Sequence, residues 1–209
     1  GLALMKAGKT VQLVLEDGAE KYDYLPGSEY VIRSPVGEAD MIIVVDCSDA
    51  ERVGSVLNDY GQPDLVIDHH KTNLAFGKIN VVEPDQVATA AVLFDHIPAW
   101  GLSIDPDVAT CLLSGIVGDT IGFRTPNVDA NLLRKAASLI DLGADLNHVY
   151  NEELVLRSFS AVHYWGFGLK RIELQGELVW TSLTLADQQE SGYDQGYDAN
   201  LVNVLSSIR

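Results

Sequence analysis

Two short apolar segments without polar alternation constrain the fold of this chain most strongly. They are residues 41–45 and 65–67, and each stands directly before an aspartate. Continuous apolar runs of this kind are typical of strands buried on both faces, as in parallel sheets. Between them, residues 50–60 carry apolar side chains at helical spacing and are long enough for a crossover connection. The pattern predicts a βαβ unit.

Other segments extend this pattern. Residues 11–15 and 79–82 predict two further strands. Apolar residues recur at helical spacing in four later segments, which are residues 87–100, 106–117, 130–142 and 147–166. Asp105 and Asp129 stand directly before two of these helices and are typical N-cap residues. We therefore predict an α/β fold with a doubly wound, mostly parallel sheet and flanking helices.

The pattern changes at about residue 171. Residues 172–174 and 178–180 flank a Gln-Gly-Glu turn, as the strands of a hairpin do. We expect one α/β domain over residues 1–157, a connector helix over residues 158–170, and the start of a second α/β domain over residues 171–209. This last piece is too short to bury a core of its own.

Composition excludes several functional classes. Thirty acidic residues against fourteen basic ones give a formal net charge of −16, which disfavours binding to duplex DNA or to an anionic membrane. The cysteines, Cys47 and Cys111, form no metal-binding or disulfide pattern. No apolar run is long enough to span a bilayer, and no signal peptide is recognisable. We therefore expect a cytoplasmic protein that binds neither duplex DNA nor a membrane.

Two polar clusters stand where an α/β fold places its ligands, outside the carboxyl ends of the strands, and a third candidate stands at the end of a helix. Asp46 follows one apolar run, and the triplet Asp68-His69-His70 follows the next. Asp119 stands two residues after the helical segment 106–117. Carboxylate and imidazole groups together form a ligand set suited to Mn²⁺ or a similar divalent ion. Taken alone, however, Asp119 before a threonine is also typical of a turn. We expect the three clusters to meet at one edge of the sheet.

At these three clusters the sequence resembles the DHH phosphoesterase superfamily, which is named after the triplet. The resemblance to its nanoRNase (oligoribonuclease)/pAp-phosphatase branch extends to further positions, namely Ile67, Asn73, Phe76, Gly77, Asn80 and residues 88–90, 115–116 and 120–124. It covers most of residues 1–165, and residues 171–209 are similar to the start of the family's associated C-terminal domain.

The resemblance implies a two-metal hydrolase, usually with manganese and with Mg²⁺ or Co²⁺ as alternatives. Asp46, His69 and Asp119 would be metal ligands. His70 would contact the scissile phosphate or assist proton transfer to the leaving group. Asp68 would hold the local turn or orient the neighbouring ligands through hydrogen bonds.

Two further side chains are candidates for binding substrate phosphate oxygens. Arg124 offers a planar fork of donors and Asn73 offers an amide. Each has an alternative role, since Asn is a favoured turn residue and Arg124 can instead pair with a carboxylate on this acidic surface.

The sequence also departs from the family pattern. The family's first metal motif, which resembles His-x-x-Pro-Asp-Gly-Asp-Ala, would stand just before residues 1–9, and the Gly-rich substrate-binding segment would lie beyond Arg209. We therefore expect that these 209 residues lack the family's first metal motif and most of its associated C-terminal domain. Either it is a stretch of a longer protein or the protein itself lost these pieces, so activity is assigned to the full-length parent.

The predicted function is that of a metal-dependent phosphodiesterase or phosphomonoesterase. Its substrates would be short single-stranded oligonucleotides, cleaved as by an exonuclease, linear dinucleotides or 3′-phosphoadenosine 5′-phosphate. The low basic content favours short substrates, because a groove for long single strands is cationic. The alternatives are a pyrophosphatase or polyphosphatase of the same superfamily and a catalytically inactive nucleotide-binding regulatory module. A homodimer is left open as the assembly.

Overall fold

The computed structural model of the chain describes residues 1–194 and 199–208. Its contacts divide the chain into two compact units, Gly1–Val155 and Leu156–Arg209. The first unit contains the following elements in chain order: α1 (Leu2–Lys6), β1 (Leu13–Val14), β2 (Val31–Ile32), β3 (Ile43–Val45), β4 (Leu65–Asp68), β5 (Ile79–Val82), α2 (Thr89–Ala99), α3 (Pro106–Asp119), α4 (Ala130–Asp141) and α5 (Leu146–Tyr150). Three short 3₁₀ segments, Glu20–Tyr22, Ser28–Tyr30 and Glu51–Leu57, connect the strands.

The main sheet of the first unit consists of β3, β4 and β5, all parallel and in this order. The register places Val45 opposite Ile67 and Asp68 opposite Val82, so the carboxyl ends of the three strands lie level with one another. Strands β1 and β2 form a separate parallel pair. The predicted α/β class, with parallel strands and flanking helices, is confirmed. The segments after β3 and β4 consequently leave the sheet at the same edge.

Helix α3 is the centre of the hydrophobic core. Leu113, Ile116 and Val117 have no solvent-exposed surface, and they pack with buried residues of α2, α4 and α5. The predicted N-caps are confirmed: the side chain of Asp105 accepts a hydrogen bond from Val108 N, and that of Asp129 accepts one from the backbone N–H of the third helical residue. This core fixes the position of Asp119, the last residue of α3.

Three expectations from the sequence are wrong in detail. The predicted helix 50–60 is not α-helical: Glu51–Leu57 forms a 3₁₀ segment, which Gly54 interrupts with φ 71° and ψ −147°. The predicted helix 147–166 is interrupted: α5 continues into a π-helical turn, Asn151–Val155, and the next helix begins only at Phe159. The third concerns burial, since β3 is not covered on both faces; Ile43 and Val45 are exposed on either side of a buried Val44.

The second unit contains α6 (Phe159–Lys170), β6 (Glu173–Gln175), β7 (Leu178–Trp180), α7 (Leu185–Ser191) and α8 (Leu201–Leu205). The predicted hairpin is confirmed, since β6 and β7 pair antiparallel. Arg171 forms an ion pair with Asp187, whose carboxylate also completes a capping box at the start of α7. The predicted connector helix, residues 158–170, corresponds to α6. Its assignment as a connector, and that of residues 171–209 as the start of an associated domain, stay predictions.

No helix among residues 1–194 and 199–208 combines the length and the apolar character that crossing a membrane requires.

Two glycines of helix α3 allow the effect of close packing on stability to be distinguished from the effect of helix propensity. A Cβ on Gly115 would lie 2.8 Å from the Cβ of Ala90 on α2, whereas a Cβ on Gly118 would meet nothing closer than 3.7 Å. We expect Gly115→Ala to lower the free energy of unfolding by about 1–3 kcal/mol, because α2 and α3 are forced apart. Gly118→Ala, the matched control, should raise it by up to about 1 kcal/mol. Urea unfolding of both variants measures this, and equal effects would contradict the close approach.

Candidate metal centre

Asp46 is placed by the end of β3. Its N–H continues the strand pairing by donating to the carbonyl oxygen of Ile67 (3.0 Å), and the residue then adopts a left-handed conformation with φ 61°. Thr89, the first residue of α2, donates its hydroxyl hydrogen to Asp46 Oδ1 at 2.6 Å. One carboxylate oxygen is thus held by a helix that packs on the sheet, while half of the side-chain surface stays exposed.

Asp68, the last residue of β4, organises the loop that follows it. Its side chain has no exposed surface and accepts hydrogen bonds from the backbone N–H of His69 (2.8 Å), from His70 Nδ1 (2.7 Å) and from Asn73 Nδ2 (2.6 Å). Burial by itself would raise the pKa of Asp68, but these hydrogen bonds outweigh it and hold the pKa below its usual range. Asp68 is therefore a buried carboxylate that orients the ring of His70 and holds the backbone of His69.

His69 points its two ring nitrogens at different partners. Nδ1 lies 3.2 Å from the carbonyl oxygen of Gln86. Because a carbonyl oxygen only accepts, this contact places the ring proton on Nδ1. In the neutral imidazole Nε2 then carries the lone pair, and it lies 3.6 Å from Asp46 Oδ1 and 3.6 Å from Asp119 Oδ2. The predicted ligands Asp46, His69 and Asp119 are thus brought together at one edge.

Asp119 carries a negative charge that the protein does not neutralise well. Burial first, and then the negative charge of Asp46, raise the pKa of the Asp119 carboxyl above its ordinary value. Glu153, which lies in the π-helical turn and accepts a hydrogen bond from Ser114 (3.1 Å), adds a smaller repulsion. A cation between these groups would relieve the repulsion.

The donor set fits a divalent metal ion. Two ligand atoms on one ion lie at most about 4 Å apart, because each bond is about 2.0–2.2 Å long. The two distances of 3.6 Å from His69 Nε2 meet this limit, and they are too long for hydrogen bonds. Two carboxylates and one imidazole are a ligand set that manganese accepts. Asp46, His69 and Asp119 are the residues that could hold the ion.

His70 is within reach of the same place but is differently engaged. One ligand atom from each of Asp46, His69 and His70 lies within 4.8 Å of the others. The nitrogen of His70 nearest to Asp46 is Nδ1, at 3.9 Å, and this atom already donates to Asp68. Binding a metal through it would break that hydrogen bond, so Nε2 is the free nitrogen of His70.

The two predicted phosphate-binding residues have different surroundings. Asn73 donates from its amide to Asp68 and to the carbonyl oxygen of Cys47 (3.0 Å), and its oxygen accepts from the N–H of Ala75. Its amide is therefore engaged on every side. Arg124 is exposed, and in the described part of the chain it forms no ion pair with a carboxylate. Substrate binding stays a prediction for both residues.

A left-handed turn follows Asp119. Ile121, Gly122 and Phe123 have φ values of 49°, 68° and 65°. Thr120 anchors the turn, because its buried hydroxyl donates to the carbonyl oxygen of Ile116 (2.6 Å) and accepts from the N–H of Phe123 (2.9 Å). A β-branched residue is strained at positive φ, and such strain is concentrated at functional sites.

Sequence reasoning assigned no role to two residues that orient the ligands. Thr89 lies within residues 88–90, which the resemblance includes, and its hydroxyl near the predicted start of a helix was the available signal. Gln86 acts on His69 through its backbone carbonyl, which any residue provides, so the sequence contains no signal for it.

The family comparison identifies the region that contains most of this edge. Residues 2–116 match the model of the DHH family, N-terminal domain, which is more than half of the chain. The match includes Asp46 and the triplet Asp68-His69-His70 and ends before Asp119.

Individual relatives are similar to the chain over only part of its length. The chain is 35% identical over 125 residues to the bifunctional oligoribonuclease and PAP phosphatase NrnA of Thermus thermophilus, an alignment that covers 57% of this chain and 36% of that protein. It is 27% identical over 142 residues to a probable manganese-dependent inorganic pyrophosphatase of Exiguobacterium, covering 60% of this chain and 46% of that protein. The chain thus spans less than half the length of these relatives.

A solved structure shares the fold. The crystal structure of an exopolyphosphatase-related protein from Bacteroides fragilis superposes with a TM-score of 0.84 at 23% sequence identity, over 99% of this chain and 66% of that chain.

The raised pKa of Asp119 predicts a trade-off between stability and metal binding. Without metal, a group whose pKa is raised on folding destabilises the protein increasingly as the pH rises through that pKa. We expect Asp119→Asn to raise the melting temperature in EDTA at pH 7, and the gain to vanish below the ordinary pKa of Asp, about 3.9. Asp59→Asn, at an exposed position before β4, is the control and should show no such pH dependence. A lower melting temperature for Asp119→Asn at pH 7 would contradict the assigned repulsion.

Because Ile121 has a left-handed conformation, we expect glycine to be more stabilising than alanine at this position, which is the opposite of their order in a helix. Both Ile121→Ala and Ile121→Gly remove the side chain, but only glycine adopts positive φ without strain. The glycine variant should be more stable than the alanine variant by about 1 kcal/mol. At Ala137, an exposed position in α4, the change to glycine should instead cost about 1 kcal/mol. Denaturant unfolding of the three variants decides this.

Proposed function

Because the chain belongs to the DHH family, we propose that the edge formed by Asp46, His69 and Asp119 binds divalent metal ions and serves the hydrolysis of phosphoester bonds. The observation that supports this most strongly is the position of His69. Its Nδ1 is tied to a carbonyl oxygen, and its Nε2 faces two carboxylates at 3.6 Å each. With a neutral imidazole and no cation, this arrangement sets a lone pair against two negative charges, which is unfavourable.

Manganese is the proposed ion, in a two-ion site, with Mg²⁺ and Co²⁺ as alternatives. The pyrophosphatase relative is named as manganese-dependent. The mixed set of oxygen and nitrogen ligands suits manganese, whereas magnesium prefers ligands that are all oxygen atoms. Bound divalent ions acidify a water molecule and offset charge on phosphoryl oxygens.

His70 is proposed to transfer a proton to the leaving group or to contact the scissile phosphate. Asp68 accepts the hydrogen bond of His70 Nδ1 and cannot donate one back, because its lowered pKa keeps it ionised. The ring is therefore held in one orientation and presents Nε2 as its exchanging nitrogen. A buried carboxylate that orients an imidazole is a recurrent arrangement in acid and base catalysis.

The proposed substrates are short single-stranded oligonucleotides, linear dinucleotides and 3′-phosphoadenosine 5′-phosphate. The relative from Thermus thermophilus is named for an oligoribonuclease and PAP phosphatase activity. The net charge of −16 supports a short substrate, since long nucleic acids need an extended basic surface. Arg124, exposed after the left-handed turn, is the proposed phosphate contact. The cytoplasmic location and the homodimer remain predictions from the sequence.

A second candidate is hydrolysis of inorganic pyrophosphate or polyphosphate. The similarity to a probable pyrophosphatase favours it, at 27% identity over 142 residues. Release of phosphate from pyrophosphate, with no mononucleotide from dinucleotides and no phosphate from 3′-phosphoadenosine 5′-phosphate, would select this candidate. Nucleotide binding without turnover of any of these compounds, persisting in a chain extended at its N-terminus, would select the inactive regulatory module.

Metal binding by the chain itself is the first test. We expect Mn²⁺ titration by calorimetry to show binding that His69→Gln weakens by more than about 100-fold, since loss of a ligand should exceed the 10–100-fold effect of outer hydrogen-bond partners. His163→Gln changes an exposed histidine of α6 in the second unit and should leave the affinity unchanged. Two assays with Mn²⁺ then distinguish the activities: mononucleotide release from oligonucleotides and dinucleotides, and phosphate release from 3′-phosphoadenosine 5′-phosphate and from pyrophosphate.

The proposed function would be overturned if Mn²⁺ bound with the same affinity to the wild-type chain and to His69→Gln. The same conclusion would follow if the wild-type chain bound no Mn²⁺.

A further inference from the structure

A buried lysine lies behind the metal centre. Lys135 of α4 is only 6% exposed, which is unusual for a lysine. Its ammonium group donates to Asp95 Oδ2 (2.5 Å), to Gln86 Oε1 (3.1 Å) and to the carbonyl oxygen of Ala91 (3.3 Å). Three donors thus meet three acceptors, which offsets the cost of burying the charge.

One of these acceptors connects Lys135 to His69. The side chain of Gln86 accepts from Lys135, and its backbone carbonyl accepts from His69 Nδ1 (3.2 Å). The amide of Gln86 also donates to Asp95 (3.2 Å) and to Glu83 (3.4 Å). Gln86 is therefore fixed from several directions, and the oxygen that sets the tautomer of His69 is fixed with it.

The other two acceptors connect Lys135 to Asp46. Ala91 and Asp95 both lie on α2, and the first residue of this helix, Thr89, donates to Asp46 Oδ1 at 2.6 Å. A single ammonium group on α4 thus holds the start of α2 and the preceding loop together. These two segments orient two of the three proposed ligands.

We propose that Lys135 is a positioning residue of the metal centre: by holding Gln86 and α2, it keeps the ring proton of His69 on Nδ1 and directs Nε2 towards Asp46 and Asp119. This inference rests on the proposed role of His69 as a metal ligand. Outer hydrogen-bond partners of ligating histidines fix the tautomer and the ring orientation, and losing them typically weakens metal binding. The alternative is that Lys135 forms a structural ion pair with Asp95 and has no influence on the site.

Four variants of the full chain separate these two roles. Lys135→Met removes the ammonium group but keeps an unbranched side chain, and Arg134→Met removes a neighbouring charge from the exposed face of α4 as the matched control. Asp95→Asn and the double variant Lys135→Met/Asp95→Asn show whether an unpaired carboxylate explains the effect. The double variant leaves no unpaired charge, so it folds even where Lys135→Met does not.

Two readouts are needed. Nitrogen-15 NMR of the imidazole at about pH 8, above the ordinary pKa of histidine, reports which nitrogen of His69 carries the proton in the metal-free protein. Mn²⁺ titration gives the affinity. We expect Arg134→Met to match the wild type in both measurements. Lys135→Met and the double variant should lose the preference for the Nδ1 proton and bind Mn²⁺ about 10–100-fold more weakly.

The inference would be overturned if the double variant kept the Nδ1 proton and bound Mn²⁺ within about twofold of the wild type, because Lys135 would then be structural. Recovery of thermal stability in the double variant, without recovery of Mn²⁺ affinity, would support it. A wild-type chain that binds no Mn²⁺ would contradict the proposed function, whereas the NMR measurement would still decide whether Lys135 orients His69.

Discussion

A carboxylate buried without exposed surface is the constraint on which the candidate site depends. Asp68 ends β4, and its charge must be met by hydrogen bonds because water cannot reach it. The chain provides three donors within the next five residues, from His69, His70 and Asn73. The loop therefore wraps around the carboxylate. One of these donors is the ring of His70 and another is the backbone N–H of His69, so satisfying Asp68 orients the ring of His70 and fixes the backbone at His69.

The same edge carries interactions that reduce stability. Burial first, and then repulsion by Asp46, raise the pKa of Asp119, and Ile121 occupies a backbone conformation that a β-branched residue avoids. Such features persist because the surrounding structure supplies more stability than they cost. Here the support comes from the fully buried residues of α3 and from the capped start of that helix. A site built to hold a cation is expected to be destabilising without one.

The polar groups behind the edge divide into two layers with different functions. Gln86 and Thr89 touch the proposed ligands, and Lys135 holds the segments on which these two residues lie. The residues that determine the geometry of the site therefore extend beyond those that would contact an ion. This arrangement also explains why a charged residue is retained in the core, where an apolar one would pack at lower cost.

The sequence by itself determined the α/β class, the parallel strands and the polar residues at their ends. Continuous apolar runs and helical spacing are local signals, and the register of β3 and β4 then brings Asp46 level with the Asp68 triplet. Only the tertiary structure decided the break after the π-helical turn, the 3₁₀ form of the segment around Gly54, and the contact of His69 with Gln86. The physical reason is that every residue offers the same carbonyl oxygen. Which donor meets it, and which buried cation holds it, depends on how distant helices pack.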